Sequence, residues 1–414
     1  MDKQIDTPIV FIIFNRPEQT LQVWSLIKSA KPRELFIIAD APREDNVRDL
    51  ELCRQCRELV EDIDWPCDVR RNYATENMGC GRRIASGLDW VFEQVEEAII
   101  LEDDCVPSKS FFLFCEEMLN KYRDNEDVWA IQGTNYRLAG DDGVSYYFSH
   151  YFATWGWATW CRAWQKYDWY MQRYQTWRDS EACRKILPVK VYRDYWLEIF
   201  DRYFNKLQMG EKLTAWSYQF YLTVLSHEGL VLYPNKNLVA NIGYGEDATH
   251  TKGINLATNY EYQSTRIAEE LDFPLVHPAS VQPDHRMDCL MMEKIYLPSA
   301  EQRDRVADNV VAHLLEAGIS SQTALIVYGA GMIGRVVVRQ LVKMGIDDFY
   351  LAVTESPTQE TMVDGVPVRS LTSLQDYKDT ATVILATAKD KHPSLVDNLQ
   401  HWGFSHWVIG FDLF

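Results

Sequence analysis

The sequence predicts an α/β protein. A mostly parallel sheet domain spans residues 1–298, a linker helix 299–320, and a smaller α/β domain 321–414. Three observations carry this reading. In the first hundred or so residues, short apolar runs rich in β-branched side chains alternate with segments of helical periodicity, the pattern of a parallel sheet with crossover helices. One apolar run, Ala98-Ile-Ile-Leu101, passes directly into three acids, Glu102-Asp-Asp104. A later run, Ala324-Leu-Ile-Val-Tyr328, passes directly into Gly329-Ala-Gly-Met-Ile-Gly334.

Taken in order, Thr7–Phe14 reads as a buried strand ending at Asn15-Arg16-Pro17, and Pro17 suits a helix start. Leu21, Trp24 and Ile27 recur at helical spacing up to Lys28. Leu35–Ala39 is the next strand and ends in Asp40. A helix follows over 46–62, then a weaker strand over 67–73. The turn Asn77-Met-Gly-Cys-Gly81 leads through Arg82 and Arg83 into a helix with Ile84, Leu88, Val91 and Val95 inward. The acidic strand comes next, and Pro107 closes it because proline cannot continue a central ladder. Ligands of open α/β sheets bind beyond the carboxyl ends of the strands, so Arg16, Asp40 and the three acids should line one edge. Adjacent carboxylates repel one another, and a hard divalent cation with oxygen ligands would relieve that repulsion. The competing reading is a solvated acidic turn after a core strand.

Composition bounds the function. Of 414 residues, 47% are apolar, enough for a large core. A formal net charge of −18 argues against nucleic acid polymers and anionic membrane surfaces as partners, but not against a small anionic ligand. The start Met-Asp-Lys-Gln-Ile-Asp has no signal-peptide pattern, and no apolar run reaches membrane-spanning length. The nine cysteines are an odd number without zinc-ribbon spacing. Cys53 and Cys56 form a C-x-x-C, yet they share a helical face with Val47, Leu50 and Val60, which points to core packing rather than redox chemistry. A cytoplasmic location is the expectation. Oligomeric state is not legible.

The aromatic stretch Tyr146–Trp160 follows, continued by Trp164 and Trp169. Trp and Tyr faces stack on sugar C–H surfaces, so Trp155 and Trp157, flanking Gly156, are candidates for an acceptor-binding wall. A large aromatic core is the competing reading for most of these rings. Residues 168–212 read as charged, aromatic helices without evident chemistry. Trp216-Ser-Tyr-Gln-Phe220 opens a further helix. The Gly-punctuated loop 243–251 carries Glu246, Asp247 and His250 and is suited to close over a diphosphate; His250 is a candidate for metal or phosphate, against a plain surface histidine. Leu271–Pro278 reads as a wrapping tail.

A capping box, Ser299-Ala-Glu-Gln302, opens the linker helix, which Gly318 ends. Beyond it, Gly329, Gly331 and Gly334 sit between a strand and a helix over 336–344, with strands at 349–353 and 382–386. This is a Rossmann-like unit. Its helix N-terminus can take the phosphate of a nucleotide or NAD, and Glu355, after the second strand, can hold ribose hydroxyls. A docking module that binds nothing competes with that reading. At about 90 residues the unit is too small for a full dehydrogenase. It resembles the small nucleotide-binding domains attached to bacterial sugar-modifying enzymes.

The layout of residues 7–295 resembles the GT-A fold of nucleotide-sugar glycosyltransferases. Ile99-Ile-Leu-Glu-Asp-Asp-Cys-Val-Pro107, followed by Phe111-Phe112, is similar to the D-x-D-type segment of the N-acetylglucosaminyltransferase I family and its bacterial relatives. The resemblance implies that Asp104 holds Mn2+ or Mg2+ on a nucleotide diphosphate, with Glu102 and Asp103 beside the sugar or ribose. It places Arg16 and Asp40 near the diphosphate and the base, and Arg82 joins this donor-binding set with His250. At the family's carboxylate base this sequence has Ser217, a poor base at neutral pH, so Asp247 or its neighbour Glu246 is expected to take that role. The implied activity is metal-dependent transfer of a hexosyl or N-acetylhexosaminyl group from a nucleotide sugar to a glycan or other hydroxyl, inverting by resemblance alone, in bacterial polysaccharide synthesis. Two alternatives compete. A sugar-nucleotide nucleotidyltransferase would need an early Gly-rich loop, which Phe14-Asn-Arg-Pro17 is not. A nucleotide-binding protein would use the G-x-G-x-x-G as its main site.

Overall fold

The computed structural model of the chain describes residues 4–138, 143–244, 260–297, 324–355, 362–387 and 392–408. The chain forms two compact units, Met1–Gln175 with Ile199–Asp284 and Thr176–Glu198 with His285–Phe414. The linker expected over 299–320 lies outside the described residues.

In the first unit, β1 (Ile9–Ile13), α1 (Pro17–Ala30), β2 (Glu34–Ala39), α2 (Val47–Leu59), β3 (Asp68–Tyr73), α3 (Cys80–Phe92) and β4 (Glu97–Glu102) alternate in the expected order. These strands pair in parallel as β3-β2-β1-β4. Every residue of β1 is buried, as a strand covered on both faces requires. Then come β5 (Cys105–Pro107), α4 (Lys109–Lys121), β6 (Val128–Gln132), β7 (Tyr146–Ser149), β8 (Trp157–Trp160), β9 (Leu230–Pro234) and β10 (Val239–Asn241). The sheet continues from β4 as β8-β6-β9-β7, with β8 antiparallel to both neighbours and β7 antiparallel to β9. The result is a mostly parallel α/β sheet. β5 and β10 form a separate antiparallel ribbon.

Helix packing explains two departures from the periodic reading. On α1 the buried stripe is Thr20, Val23, Trp24, Ile27 and Ala30, and Leu21 is exposed. On α2 the two cysteines and Val60 are buried as expected, but Val47 and Leu50 are 90% and 68% exposed. Asp49 takes the inward position instead. Its fully buried carboxylate accepts from Asn15 Nδ2 at 2.8 Å and Arg43 Nη2 at 2.9 Å, which rotates the first turn of α2 away from the core. The aromatic stretch is mainly core: Tyr146, Tyr147, Phe148, Tyr151, Phe152, Trp157 and Trp160 are all buried. Among the described residues, no helix is long and apolar enough to cross a membrane.

The second unit has β11 (Leu325–Tyr328), β12 (Phe349–Val353), β13 (Met362–Val363), β14 (Val366–Ser370), β15 (Thr382–Leu385) and β16 (Trp407–Val408). They pair as β13-β14-β12-β11-β15-β16, parallel throughout except at β13. A helix over Met332–Lys343 follows β11 directly after the glycine run.

Candidate functional site

In the first sheet the strand order reverses between β1 and β4, and it is beyond the carboxyl ends of strands at such a reversal that ligands of open α/β sheets bind. Ile12 lies opposite Glu102 in register, which brings the Asn15–Pro17 turn beside the acidic run. Arg16 Nη1 donates to Asp104 Oδ2 at 2.8 Å and stands 3.6 Å from Asp103 Oδ1. The Phe14 backbone N–H reaches Asp103 Oδ2 at 3.3 Å.

The electrostatics are unbalanced. Burial opposes the Arg16 charge, but Asp103 and then Asp104 outweigh it and hold its pKa above the ordinary value. Glu102 is pushed up by burial first, then by the charges of Asp104 and Asp103. Asp103 is pushed up by burial and by Asp104. Among the described residues, one guanidinium therefore faces three carboxylates that burial and mutual repulsion make costly to ionise.

The β5–β10 ribbon forms the other side. Ile242 N–H donates to the Asp104 carbonyl at 2.9 Å, and Gly243 N–H donates to Asn241 Oδ1 at 2.8 Å. A Cβ at position 243 would collide with Asp104 Oδ2, so the backbone here approaches the carboxylate as only glycine permits.

Asp40 lies at the end of β2, and its carboxylate is occupied by Ala41 and by the turn before α3. Oδ1 accepts from Ala41 N at 2.9 Å and Met78 N at 3.0 Å; Oδ2 accepts from Gly79 N at 2.9 Å and Asn77 Nδ2 at 3.3 Å. Asp40 thus fixes the turn that launches α3. Arg83 is buried against the Ala39 carbonyl and Asn72, whereas Arg82 is exposed and lies over the Trp169 ring at 5.1 Å. No contact among those described joins Arg82 to the acidic run.

The two tryptophans expected to form a wall part company. Trp157 is 1% exposed, stacked on Trp216 at 5.4 Å and packed edge-on to Phe152, so it belongs to the core and faces no acceptor. Gly156, at φ +60°, turns the chain between them. Trp155 stays half-buried, its carbonyl held by Thr134 Oγ1 at 2.8 Å. Its ring meets Tyr244 at 6.0 Å, and Tyr244 meets Tyr262 at 4.8 Å. Ser217 begins the helix Ser217–Ser226 and is half-buried. Glu246, Asp247 and His250 lie outside the described residues. Sequence reasoning missed Gly243, Tyr244, Tyr262 and Glu261. Burial alone pushes the Glu261 carboxyl up to about 7. Of these, only the glycine next to an aromatic in the loop left a trace in the sequence.

Among the described residues, no group of three or more His, Cys, Asp or Glu side chains is arranged to hold a metal ion. Asp104 with one or two neighbouring carboxylates fits a hard cation that takes its other ligands from a bound diphosphate and water. A groove of about 950 Å³ on the outer face of α1 and α2, lined by Trp24, Lys28, Glu58 and Asp62, includes none of these acids.

In the second unit the glycines have distinct duties. A Cβ on Gly329, at φ +127°, would come within 2.6 Å of the Ala386 carbonyl oxygen, and one on Gly334 would collide with the Gly329 carbonyl. These two fit the tight turn and the close packing of helix on strand. Around Gly331 the nearest atom to such a Cβ, His285 Cδ2, is 3.9 Å away. Space is open there, at the uncapped start of the helix Met332–Lys343. Glu355 is exposed just past β12.

No family model and no curated protein matches this sequence. Among solved structures, the chain is similar to a mannosyltransferase from Pyrobaculum calidifontis in complex with GDP-Man and Mn2+, at 13% identity and TM-score 0.26, over 38% of this chain and 45% of that one. It is similar to mouse xyloside xylosyltransferase 1 at 11% identity and TM-score 0.28, over 64% of this chain and 96% of that one. A UDP-glucose pyrophosphorylase complexed with UDP-glucose gives 11% identity and TM-score 0.21, over 36% and 64%. The chain thus spans less than half the length of the mannosyltransferase it resembles.

Proposed function

We propose that this chain transfers a sugar from a nucleotide-diphosphate sugar to a hydroxyl acceptor, with a divalent cation, Mn2+ or Mg2+, held at Asp104. The observation that carries the reading is the cluster Glu102, Asp103 and Asp104 at the reversal point of a parallel sheet, faced by Arg16 among the described residues. Such a cluster is poorly suited to a purely structural turn, because burying like charges is unfavourable without a cation. When bound, the cation would act as a Lewis acid on the departing diphosphate.

The chain's own groups supply the rest. Arg16 offers a fixed guanidinium at the carboxyl ends of β1 and β4, where a diphosphate oxygen can exchange with Asp104 as its partner. Glu102 and Asp103 accept hydrogen bonds from sugar or ribose hydroxyls. Asp40 holds the turn before α3. Asp247 takes the acceptor proton, with Glu246 and His250 in the same loop. In the second unit, Gly331 leaves room for a nucleotide phosphate and Glu355 lies on the ribose side.

The test is Mn2+-dependent hydrolysis of a panel of nucleotide sugars, compared with incubation in nucleoside triphosphate plus sugar phosphate. Turnover of the former that is lost in Asp104→Ala, with the fold retained, supports the reading. Full activity of Asp104→Ala in EDTA would sink it. Pyrophosphate release from the triphosphate alone would replace it with a nucleotidyltransferase.

A further inference from the structure

Tyr244, which follows the glycine packed on Asp104, meets two other half-buried aromatic rings, and the three come from separate segments. Trp155 precedes β8, Tyr244 follows β10 by three residues, and Tyr262 lies on the helix Tyr260–Thr265. The tryptophans and tyrosines of the neighbouring strands β7 and β8 are buried, whereas these three rings keep part of their surface exposed. Their rings are edge-on in sequence: Tyr244 meets Trp155 at 74° and Tyr262 at 67°.

The backbone beneath is rigid. Gly133 N–H donates to the Gly156 carbonyl at 2.7 Å, and a Cβ on Gly156 would sit 2.7 Å from Val239 Cγ2, so the Trp155 turn is locked onto the first residue of β10. Asn237 Nδ2 donates to the Ile267 carbonyl at 2.9 Å and tethers the end of the Tyr262 helix. Gly243 presses on Asp104, which places Tyr244 one residue from that carboxylate. Two carboxylates act on Tyr244, Glu261 more strongly than Asp104. Acids close to the rings disfavour a bare anion and accept hydrogen bonds from hydroxyls, while the rings offer π faces to C–H groups. A neutral, hydroxyl-rich ring with one apolar face satisfies both.

We propose that Trp155, Tyr244 and Tyr262 form a stacking subsite for the apolar face of a pyranose ring beside Asp104. The proposal rests on the glycosyl-transfer reading and replaces the Trp155–Trp157 pair as the sugar wall.

Saturation-transfer NMR on the full chain tests it, with methyl glucoside, methyl mannoside and methyl N-acetylglucosaminide as free pyranosides, UDP-glucose and GDP-mannose as donors with Mn2+, and UMP and GMP as nucleotide controls. Pyranose C–H protons should receive saturation. Tyr244→Leu and Trp155→Leu should weaken the contact about threefold to tenfold, the range for losing an aromatic partner. Tyr244→Phe, which keeps the ring, should retain it and serves as the folding control. Saturation of the free pyranosides assigns the ring to the acceptor; saturation confined to the sugar of the donors assigns it to the donor. Sugar saturation equal in wild type and both Leu variants overturns the subsite. So does a loss in those variants confined to nucleobase protons. Calorimetry of wild-type protein with donor and Mn2+ checks the underlying reading separately: no donor binding there, with ring-dependent pyranoside contacts intact, refutes the transferase and leaves the sugar subsite standing.

Discussion

Arg16 Nη1 donates to Asp104 Oδ2 at 2.8 Å across the gap between β1 and β4, tying together the two strand ends at which the sheet order reverses. The charge of the same guanidinium also acts on Asp103 and Glu102. Because Glu102 and Asp103 have folded-state pKa values raised above their ordinary ones, the folded protein holds more protons than the unfolded chain between those values. Their stabilising contribution is complete below the ordinary carboxylate range and is lost as pH rises through the raised values. Without metal, the melting temperature is therefore expected to fall from pH 5 towards pH 8. Mn2+ with a nucleotide diphosphate should flatten the fall, and Arg16→Met should steepen it and cost about 3 kcal/mol at neutral pH, as for other broken buried ion pairs. Thermal unfolding in EDTA and in Mn2+ plus UDP measures this. A profile rising with pH in EDTA would contradict it.

Gly243 has a second role beyond making a turn. Its lack of a side chain is what lets the ribbon approach Asp104. Gly243→Ala should push either the ribbon or the carboxylate aside, at about 1–3 kcal/mol of stability for an overpacked site. More diagnostic is the metal: nucleotide-dependent Mn2+ affinity should drop about tenfold or more, since coordination tolerates little displacement of its ligand. Mn2+ electron paramagnetic resonance titration in the presence of UDP reads this directly. Unchanged affinity would move the metal away from Asp104.

The glycines of the second unit separate folding from ligand binding. Gly334→Ala meets the Gly329 carbonyl and should destabilise the unit with or without nucleotide. Gly331→Val enters open space, so unfolding should change by no more than about 1 kcal/mol. If the helix start cradles phosphate, the same Val should abolish nucleotide binding by blocking backbone approach. Calorimetry of the full chain with NAD, UDP-glucose and ATP, against each variant's melting curve, tells these apart. Absence of any heat from wild type would make the unit a docking module.

Much of the sheet was legible because a parallel strand writes its whole length in apolar residues and its end in a polar one. Arg16, Asp40 and Asp104 were placed on one edge by that rule alone. The partners of Asp40 were not legible, since its four hydrogen bonds come largely from Asn77, Met78 and Gly79, nearly forty residues away. Trp155 and Trp157 share a face only if the chain between them is extended. Gly156 at φ +60° breaks that period and sends one ring to the core. Val47 and Leu50 misled for a similar reason: a buried Asp49 bound to Arg43 and Asn15 outweighed two apolar residues at the helix start. Tyr244 and Tyr262 are far apart in sequence, and no periodicity announces their contact.

The proton acceptor is the last expectation. Ser217 is half-buried at the start of its helix and cannot serve as a base at neutral pH. Asp247, with its neighbour Glu246, and Glu261 are then the competing carboxylates; a larger kcat loss in Glu246→Gln than in Asp247→Asn would move the role to Glu246. Glu261 has a raised pKa, to about 7, through burial alone, which suits a base working near neutrality. Its position next to Tyr262, however, favours hydrogen bonding to the sugar in the stacking subsite. Asp247→Asn is therefore expected to lower kcat about a hundredfold or more with donor affinity kept, the lower range for loss of a general base. Glu261→Gln should leave kcat within about threefold and raise the acceptor KM, as removal of uniform binding does. The pH profile of kcat/KM decides between them. If Glu261→Gln instead takes the larger loss in kcat and abolishes an acid limb near pH 7, Glu261 is the base and the 243–251 loop serves to hold the diphosphate.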